Sequence, residues 1–155
     1  PMNLAVDRDE VVTRTWDALA TLGIDGLAER DPQRLSGGQQ QLVAIGGLLA
    51  MRPAYLVLDE PTAQLDPAGT RLVADAIARL ARDGASILVA EQKTDLLAAV
   101  ASEVIVLAEG RVVFSGPTAE VLADSRLPEL GVPEPSAVRL ERAAAAAGVG
   151  EALHG

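Results

Sequence analysis

The sequence predicts an α/β fold: a partial parallel sheet preceded by a helical subdomain and followed by an edge β-hairpin and a C-terminal helical tail. Three observations predict it. Two short apolar runs, Tyr55 to Leu58 and Ser86 to Ala90, flank a segment in which Leu72, Val73, Ala76, Ile77 and Leu80 repeat with a helical period. Strand, helix and strand in that order imply a right-handed parallel crossover. Ahead of them stand two helix-start signatures, and behind them Glu109-Gly110 turns Val104–Leu107 into Arg111–Phe114 as an antiparallel hairpin.

The first helix opens at Asp7, with Glu10 three residues on as a capping box. Val12, Trp16 and Leu19 then recur at helical spacing as far as Leu22-Gly23. Polar residues from Gly26 to Leu35, including Asp31-Pro32, read as a loop. Ser36 and Gln39 form a second capping box, and the apolar stretch behind them runs to about Ala50, where Arg52 and Pro53 end it. Tyr55 to Leu58 is continuously apolar and closes on Asp59-Glu60-Pro61, the pattern of a strand buried on both faces. A helix after Pro67 lasts to Arg82, Asp83-Gly84 turns into the second buried strand, and Thr94 to Val100 is another helix. From about Ser125, Pro128, Pro133 and Pro135 interrupt the pattern, and Ser136 to Ala147 reads as an alanine-rich helix in an appended tail.

Composition removes several functions. The 155 residues carry 13 Lys+Arg against 22 Asp+Glu, a net charge of −9, with no basic run. That balance argues against capture of a phosphate backbone, so nucleic acid is not an expected partner. There is no cysteine, and His154 is the one histidine, which excludes thiolate and multi-histidine metal sites and thiol nucleophiles. The longest uncharged apolar stretch, Leu42 to Met51, is about half of the roughly 18 to 20 residues a membrane-spanning helix needs.

Two constellations carry chemistry. Leu35-Ser36-Gly37-Gly38-Gln39 opens a helix, where unpaired backbone N–H groups and a partial positive charge favour an anion. Adjacent glycines let a ligand approach that backbone, and the Ser36 hydroxyl either caps its own helix or donates to a phosphate oxygen. Leu56-Val57-Leu58-Asp59-Glu60-Pro61 places two carboxylates at the end of a strand, the address of ligands in open α/β sheets. One carboxylate can serve a Mg²⁺ ion, which takes one or two protein carboxylates alongside water and substrate phosphate, and the other can serve a water. A plain helix cap and an acidic turn are the simpler alternatives for each motif taken alone.

Thr62-Ala63-Gln64-Leu65-Asp66-Pro67 follows at once. In this order, LSGGQ, YLVLDEPT and LDP closely resemble the second half of the nucleotide-binding domain of ATP-binding cassette (ABC) ATPases, over residues 1 to about 125. The resemblance implies a P-loop NTPase-like sheet, ATP and Mg²⁺ as cofactors, and a dimer with a second ABC ATPase subunit, identical or different. By that resemblance Ser36, Gly37, Gly38 and Gln39 form a signature motif that contacts the γ-phosphate of ATP held by the opposite subunit. Asp59 becomes the Walker B aspartate holding Mg²⁺ through water, Glu60 the carboxylate that orients or deprotonates the attacking water, and Leu65-Asp66 a loop across the dimer interface. Gln92 occupies the position of a switch histidine.

Three departures qualify the resemblance. Glutamine at 92 can hydrogen-bond a γ-phosphate oxygen but carries no imidazolium charge, so charge stabilisation there is weaker or differently arranged. Leu42 stands where the signature helix usually has arginine. No Gly-x-x-x-x-Gly-Lys-[Ser/Thr] occurs and Lys93 is the one lysine, so a phosphate-cradling loop is absent from these residues and the chain alone is expected to be inactive. Pro1-Met2-Asn3-Leu4 resembles the stretch soon after the glutamine loop of longer family members, which suggests that roughly the first half of the domain is missing.

The run Leu35 to Met51 followed by Arg52-Pro53, and the tail with Leu130-Gly131-Val132-Pro133 and Pro135, look like the ATPase subunits of energy-coupling factor transporters, which import vitamins or transition-metal ions. That implies membrane-spanning transporter subunits as partners and a peripheral place on the cytoplasmic face of the cell membrane. Branched-chain amino-acid importers, similar at Glu91-Gln92, are the alternative, as is a non-catalytic or non-transport member. The expected division is a helical subdomain over about 1–50, a Walker B core over about 53–125, and an extension over 126–155.

Overall fold

A computed structural model describes residues 6–147. Pro1 to Leu4 and His154 lie outside the described residues. The chain forms two compact units, Pro1–Glu91 and Gln92–Gly155.

In the first unit, α1 (Arg8–Thr21) packs on α2 (Gly37–Met51), with short 3₁₀ turns at Asp25–Leu27 and Pro32–Arg34 between them. The N-cap of α1 is Asp7, but its carboxylate accepts from Asp9 N at 3.3 Å, while Glu10 pairs with Arg14 Nε at 2.8 Å. The expected capping box is therefore not formed, because the i,i+4 ion pair takes the Glu10 side chain away from the helix start. The buried side of α1 also differs from expectation. Val12 and Trp16 are half exposed, whereas Ala18 and then Leu22 are buried. Two apolar stripes fit a 3.6-residue period here, and packing against α2 selects the one carrying the smaller side chain.

Strand β1 (Tyr55–Asp59) pairs in parallel with β2 (Ser86–Ala90), Tyr55 opposite Ser86 and Asp59 opposite Ala90. Between them runs α3 (Pro67–Arg82), which packs on β2 and α2 and buries Val73, Ala76, Ile77 and Leu80 at helical spacing. The strand–helix–strand expectation holds, but burial on both faces does not. Leu56 and Leu58 are buried, whereas Tyr55 is 81%, Val57 73% and Leu88 62% exposed. A helical layer covers one face of this two-stranded sheet, and the other face is apolar and bare among the described residues.

In the second unit, α4 (Thr94–Val100) leads into the antiparallel pair β3 (Glu103–Ala108) and β4 (Arg111–Pro117). The turn residues Glu109 and Gly110 have φ of 49° and 72°, the two positive values that a two-residue hairpin turn matching strand twist requires. A register shift between Val106 and Leu107 leaves Val113 as an extra residue in β4. The helix α5 (Thr118–Leu122) has no counterpart in the sequence reading; at five residues it is too short to show a period. Val104, Val106, Val121, Leu122 and Leu127 form the core, with Leu97, Phe114, Leu130 and Val132 packed against it. The proline-interrupted segment thus contributes its first residues to the core of this unit. It continues through a 3₁₀ turn at Pro128–Leu130 into α6 (Ser136–Ala146).

Candidate functional site

Ser36 sits at φ −64°, ψ 160° as the N-cap of α2, and its box with Gln39 is complete. Ser36 Oγ accepts from Gln39 N at 3.3 Å, and Gln39 Oε1 accepts from Ser36 N at 3.1 Å. This reciprocal pair satisfies two backbone donors and fixes the entry angle of the chain. The hydroxyl proton of Ser36 remains available to an external acceptor, because capping uses only an oxygen lone pair.

The glycines behind Ser36 have a reason within the chain. A Cβ on Gly37 would meet Gln64 Oε1 at 2.1 Å, and one on Gly38 would meet the Gln64 carbonyl oxygen at 3.2 Å and Leu65 Cδ2 at 3.5 Å. The Gln64–Leu65 segment therefore lies against the start of α2. At Gly37 the obstacle is a flexible side-chain end; at Gly38 it is backbone and less able to yield. A further link comes from Gln41, whose side-chain amide donates to the Pro61 carbonyl at 3.0 Å. The helix start and the loop after β1 are thus one connected structure.

Asp59 ends β1 and is exposed, as is Glu60 beside it. Glu60 N donates to Ala90 O at 2.9 Å, continuing the parallel ladder one residue beyond the strand. Its φ is +43°, left-handed for a residue with a Cβ, a conformation that costs roughly 1–2 kcal/mol and is held only by its surroundings. Those surroundings include Pro61 and Thr62, both fully buried. Thr62 Oγ1 donates to Glu91 Oε2 at 2.6 Å, joining the ends of the two parallel strands. Asp66 caps α3, accepting from Gly69 N at 2.7 Å ahead of Pro67 at the first helical position.

Within the first unit, then, the fold brings together Ser36, Gly37, Gly38 and Gln39 with the loop that carries Asp59, Glu60 and Asp66. Gln92 follows Glu91 directly, opens the second unit and is exposed. Gln41, Thr62, Gln64 and Glu91 support the site and had no role assigned from the sequence. Gln41 had a weak signal, a side-chain amide two residues past the capping box. Thr62 and Glu91 stand in quoted motifs, but nothing in the sequence pairs two residues 29 apart.

Hard carboxylate oxygens at a strand end suit Mg²⁺, and their exposure leaves room for the waters and phosphate oxygens that this ion retains. Among the described residues there is no cluster of three or more His, Cys, Asp or Glu groups placed to hold a metal by protein ligands alone. The donor set therefore fits an ion that arrives with a phosphate ligand. A cavity of about 590 Å³ in the same unit lies elsewhere, beside Pro53, Ala54 and Ala85 at the opposite ends of β1 and β2. Its arginines are engaged locally: Arg14 with Glu10, Arg52 with Asp17 at 3.5 Å, and Arg79 with the Thr21 hydroxyl at 2.6 Å.

Comparison with known proteins agrees with the motifs. A family model described as ABC transporter matches residues 2–63. The chain is 37% identical over 139 residues to the energy-coupling factor transporter ATP-binding protein EcfA of Methanosphaera stadtmanae, covering 84% of this chain and 50% of that protein. It is 44% identical over 128 residues to the EcfA of Methanoculleus marisnigri, covering 82% and 46%. Among solved structures, CbiO1 of Clostridium perfringens, part of the ABC transporter complex CbiONQ, matches with a TM-score of 0.67 at 33% identity over 91% of this chain and 57% of that one. An ATP-binding cassette of an ABC transporter in its ADP conformation matches with a TM-score of 0.67 at 27% identity, over 83% and 52%. The chain spans about half the length of the curated relatives it matches. By its motifs, its α/β fold and these relatives, the chain is similar to part of the ATPase domain of ABC transporters.

Proposed function

We propose that this chain is the signature and Walker B part of an ATP-binding and ATP-hydrolysing subunit of an energy-coupling factor type transporter. The observation that carries the reading is the joined pair of motifs: a glycine-rich, fully capped helix start beside a strand end bearing Asp59 and Glu60. Asp59 would hold Mg²⁺, and Glu60 would orient or deprotonate the water that attacks the γ-phosphate. The ion supplies charge neutralisation of the phosphate oxygens. Ser36 and the backbone N–H groups of Gly37 and Gly38 face the γ-phosphate of nucleotide bound by a second ATPase subunit. Asp66 lies at that subunit boundary, and Gln92 hydrogen-bonds a γ-phosphate oxygen.

These 155 residues contain no phosphate-cradling P-loop, so turnover requires one supplied from outside them. The bare apolar face formed by Tyr55, Val57 and Leu88 supports that requirement, since a two-stranded sheet is marginal without further layers. No described helix is long and apolar enough to cross a membrane. Membrane-spanning transporter subunits are the proposed partners, and the cytoplasmic face of the membrane is the proposed location, with vitamins or transition-metal ions as the cargo class.

The test is ATP turnover by a subunit that includes a P-loop together with these residues. Glu60→Gln should lower kcat by about 10² or more, the range for losing a positioned general base, with nucleotide affinity retained. Turnover by the Glu60→Gln variant equal to that of the parent removes Glu60 from the chemistry. Appreciable Glu60-dependent turnover by the 155 residues alone removes the requirement for an added P-loop.

A further inference from the structure

The helix α6 starts without a capping side chain of its own, because its N-cap residue is Pro135. The missing acceptor comes from 41 residues earlier. Asp95 Oδ1 accepts from Ser136 N at 2.6 Å, and Asp95 Oδ2 accepts from Ser136 Oγ at 2.8 Å. One carboxylate in the first turn of α4 thus caps α6 with two charge-assisted hydrogen bonds. The neighbouring residue repeats the connection: Thr94, buried, donates its hydroxyl to the Pro133 carbonyl at 2.8 Å. Farther along, Arg142 holds Glu134 and also donates to the Ala123 carbonyl at 3.0 Å, closing the segment onto the end of α5.

Thr94 and Asp95 are the first two residues of α4, and Lys93 is its N-cap. Gln92 lies directly before that cap. A seven-residue helix has too little internal hydrogen bonding to fix its own start, so what holds Thr94 and Asp95 also fixes where Gln92 can be.

We propose that Asp95 is a positioning residue, through which the segment from Pro133 to Ala146 sets the conformation of the loop carrying Gln92. Release of α6 from Asp95 loosens that loop; docking of α6 holds it. The functional consequence, control of the γ-phosphate contact by the C-terminal segment, rests on the reading of Gln92 given above. The mechanical link does not.

Amide hydrogen exchange on the full 155-residue chain tests the link directly. The reporter is the Leu96 N–H, which donates to Lys93 O at 3.0 Å across the start of α4. Asp95→Ala removes the acceptor. Ser136→Pro removes both donors yet suits the first position of a helix, and Pro135 at φ −54°, ψ 148° already has the extended backbone required before proline. Both variants should speed Leu96 exchange by about tenfold or more, as expected for losing a charge-assisted hydrogen bond that guards a local opening. Asp95→Asn, which keeps a capping oxygen, should stay within about threefold of the parent. The amides of β3 and β4 should not change in any of the three.

Faster exchange in α6 with unchanged Leu96 overturns the proposal, as does a uniform acceleration that includes β3 and β4. The exchange readout is indifferent to nucleotide. Gln92→Ala, measured by ATP turnover in a P-loop-containing subunit, tests the other reading separately.

Discussion

Thr62 Oγ1 lies 2.6 Å from Glu91 Oε2, a short hydrogen bond to a carboxylate that fastens the C-terminal ends of β1 and β2 to each other. Thr62 is fully buried, and the bond lies two residues past Glu60, whose left-handed backbone must be held in place. We predict that Thr62→Val lowers stability by about 2 kcal/mol, the range for losing a hydrogen bond to a charged acceptor. Thr62→Ser should retain most of it. Urea unfolding of the two variants checks the prediction, and equal midpoints for valine and serine would show the hydroxyl to be dispensable.

Ser36 caps α2 whatever else it does, so structure and function at this residue can be separated. Ser36→Ala should cost about 1 kcal/mol in denaturant unfolding, as loss of a serine cap does, and should speed exchange of the Gln39 amide. Ser36→Asn preserves the cap and should unfold like the parent. A defect of Ser36→Asn in ATP turnover, in the presence of normal stability, would then report the phosphate contact alone.

Asp124 gives the chain an acid-sensitive contact. Arg126 holds the Asp124 carboxyl down from the ordinary 3.8 to about 2, first through its guanidinium and then through its backbone N–H, while the same guanidinium stacks 4.7 Å from the Phe114 ring centroid. The folded state binds this proton more weakly than the unfolded state. Its stabilising contribution is therefore present above pH 3.8 and is lost as pH falls towards about 2. Asp124→Asn should flatten the pH dependence of unfolding in that window and lower stability at neutral pH by the same small amount, because Arg126 is exposed and solvent screens the pair. Titration of the Asp124 side chain by NMR checks the direction independently; an ordinary carboxyl value would refute it.

Much of the local structure was legible in the sequence because local chemistry decides it. Ser36 and Gln39 are three residues apart, and the capping box needs nothing beyond them. The same is true of the hairpin turn at Glu109-Gly110 and of α4, whose bounds Thr94–Val100 match the reading residue for residue. At Asp7 the same logic misread the side chain, since Glu10 also had Arg14 within one helical turn. Motif order was enough to show the resemblance to ABC ATPases because LSGGQ, LDEPT and LDP carry their information in adjacent residues.

The tertiary structure decided what pattern leaves degenerate or joins at a distance. Val12–Trp16 and Ala18–Leu22 fit one helical period equally well, and only packing on α2 chose between them. The apolar run of β1 said nothing about which face a layer would cover. Gly38 met Gln64, Thr62 met Glu91, and Asp95 met Ser136 through separations of 26, 29 and 41 residues. Periodicity and capping act over a few residues, whereas contacts of that span exist only once the chain has folded back on itself.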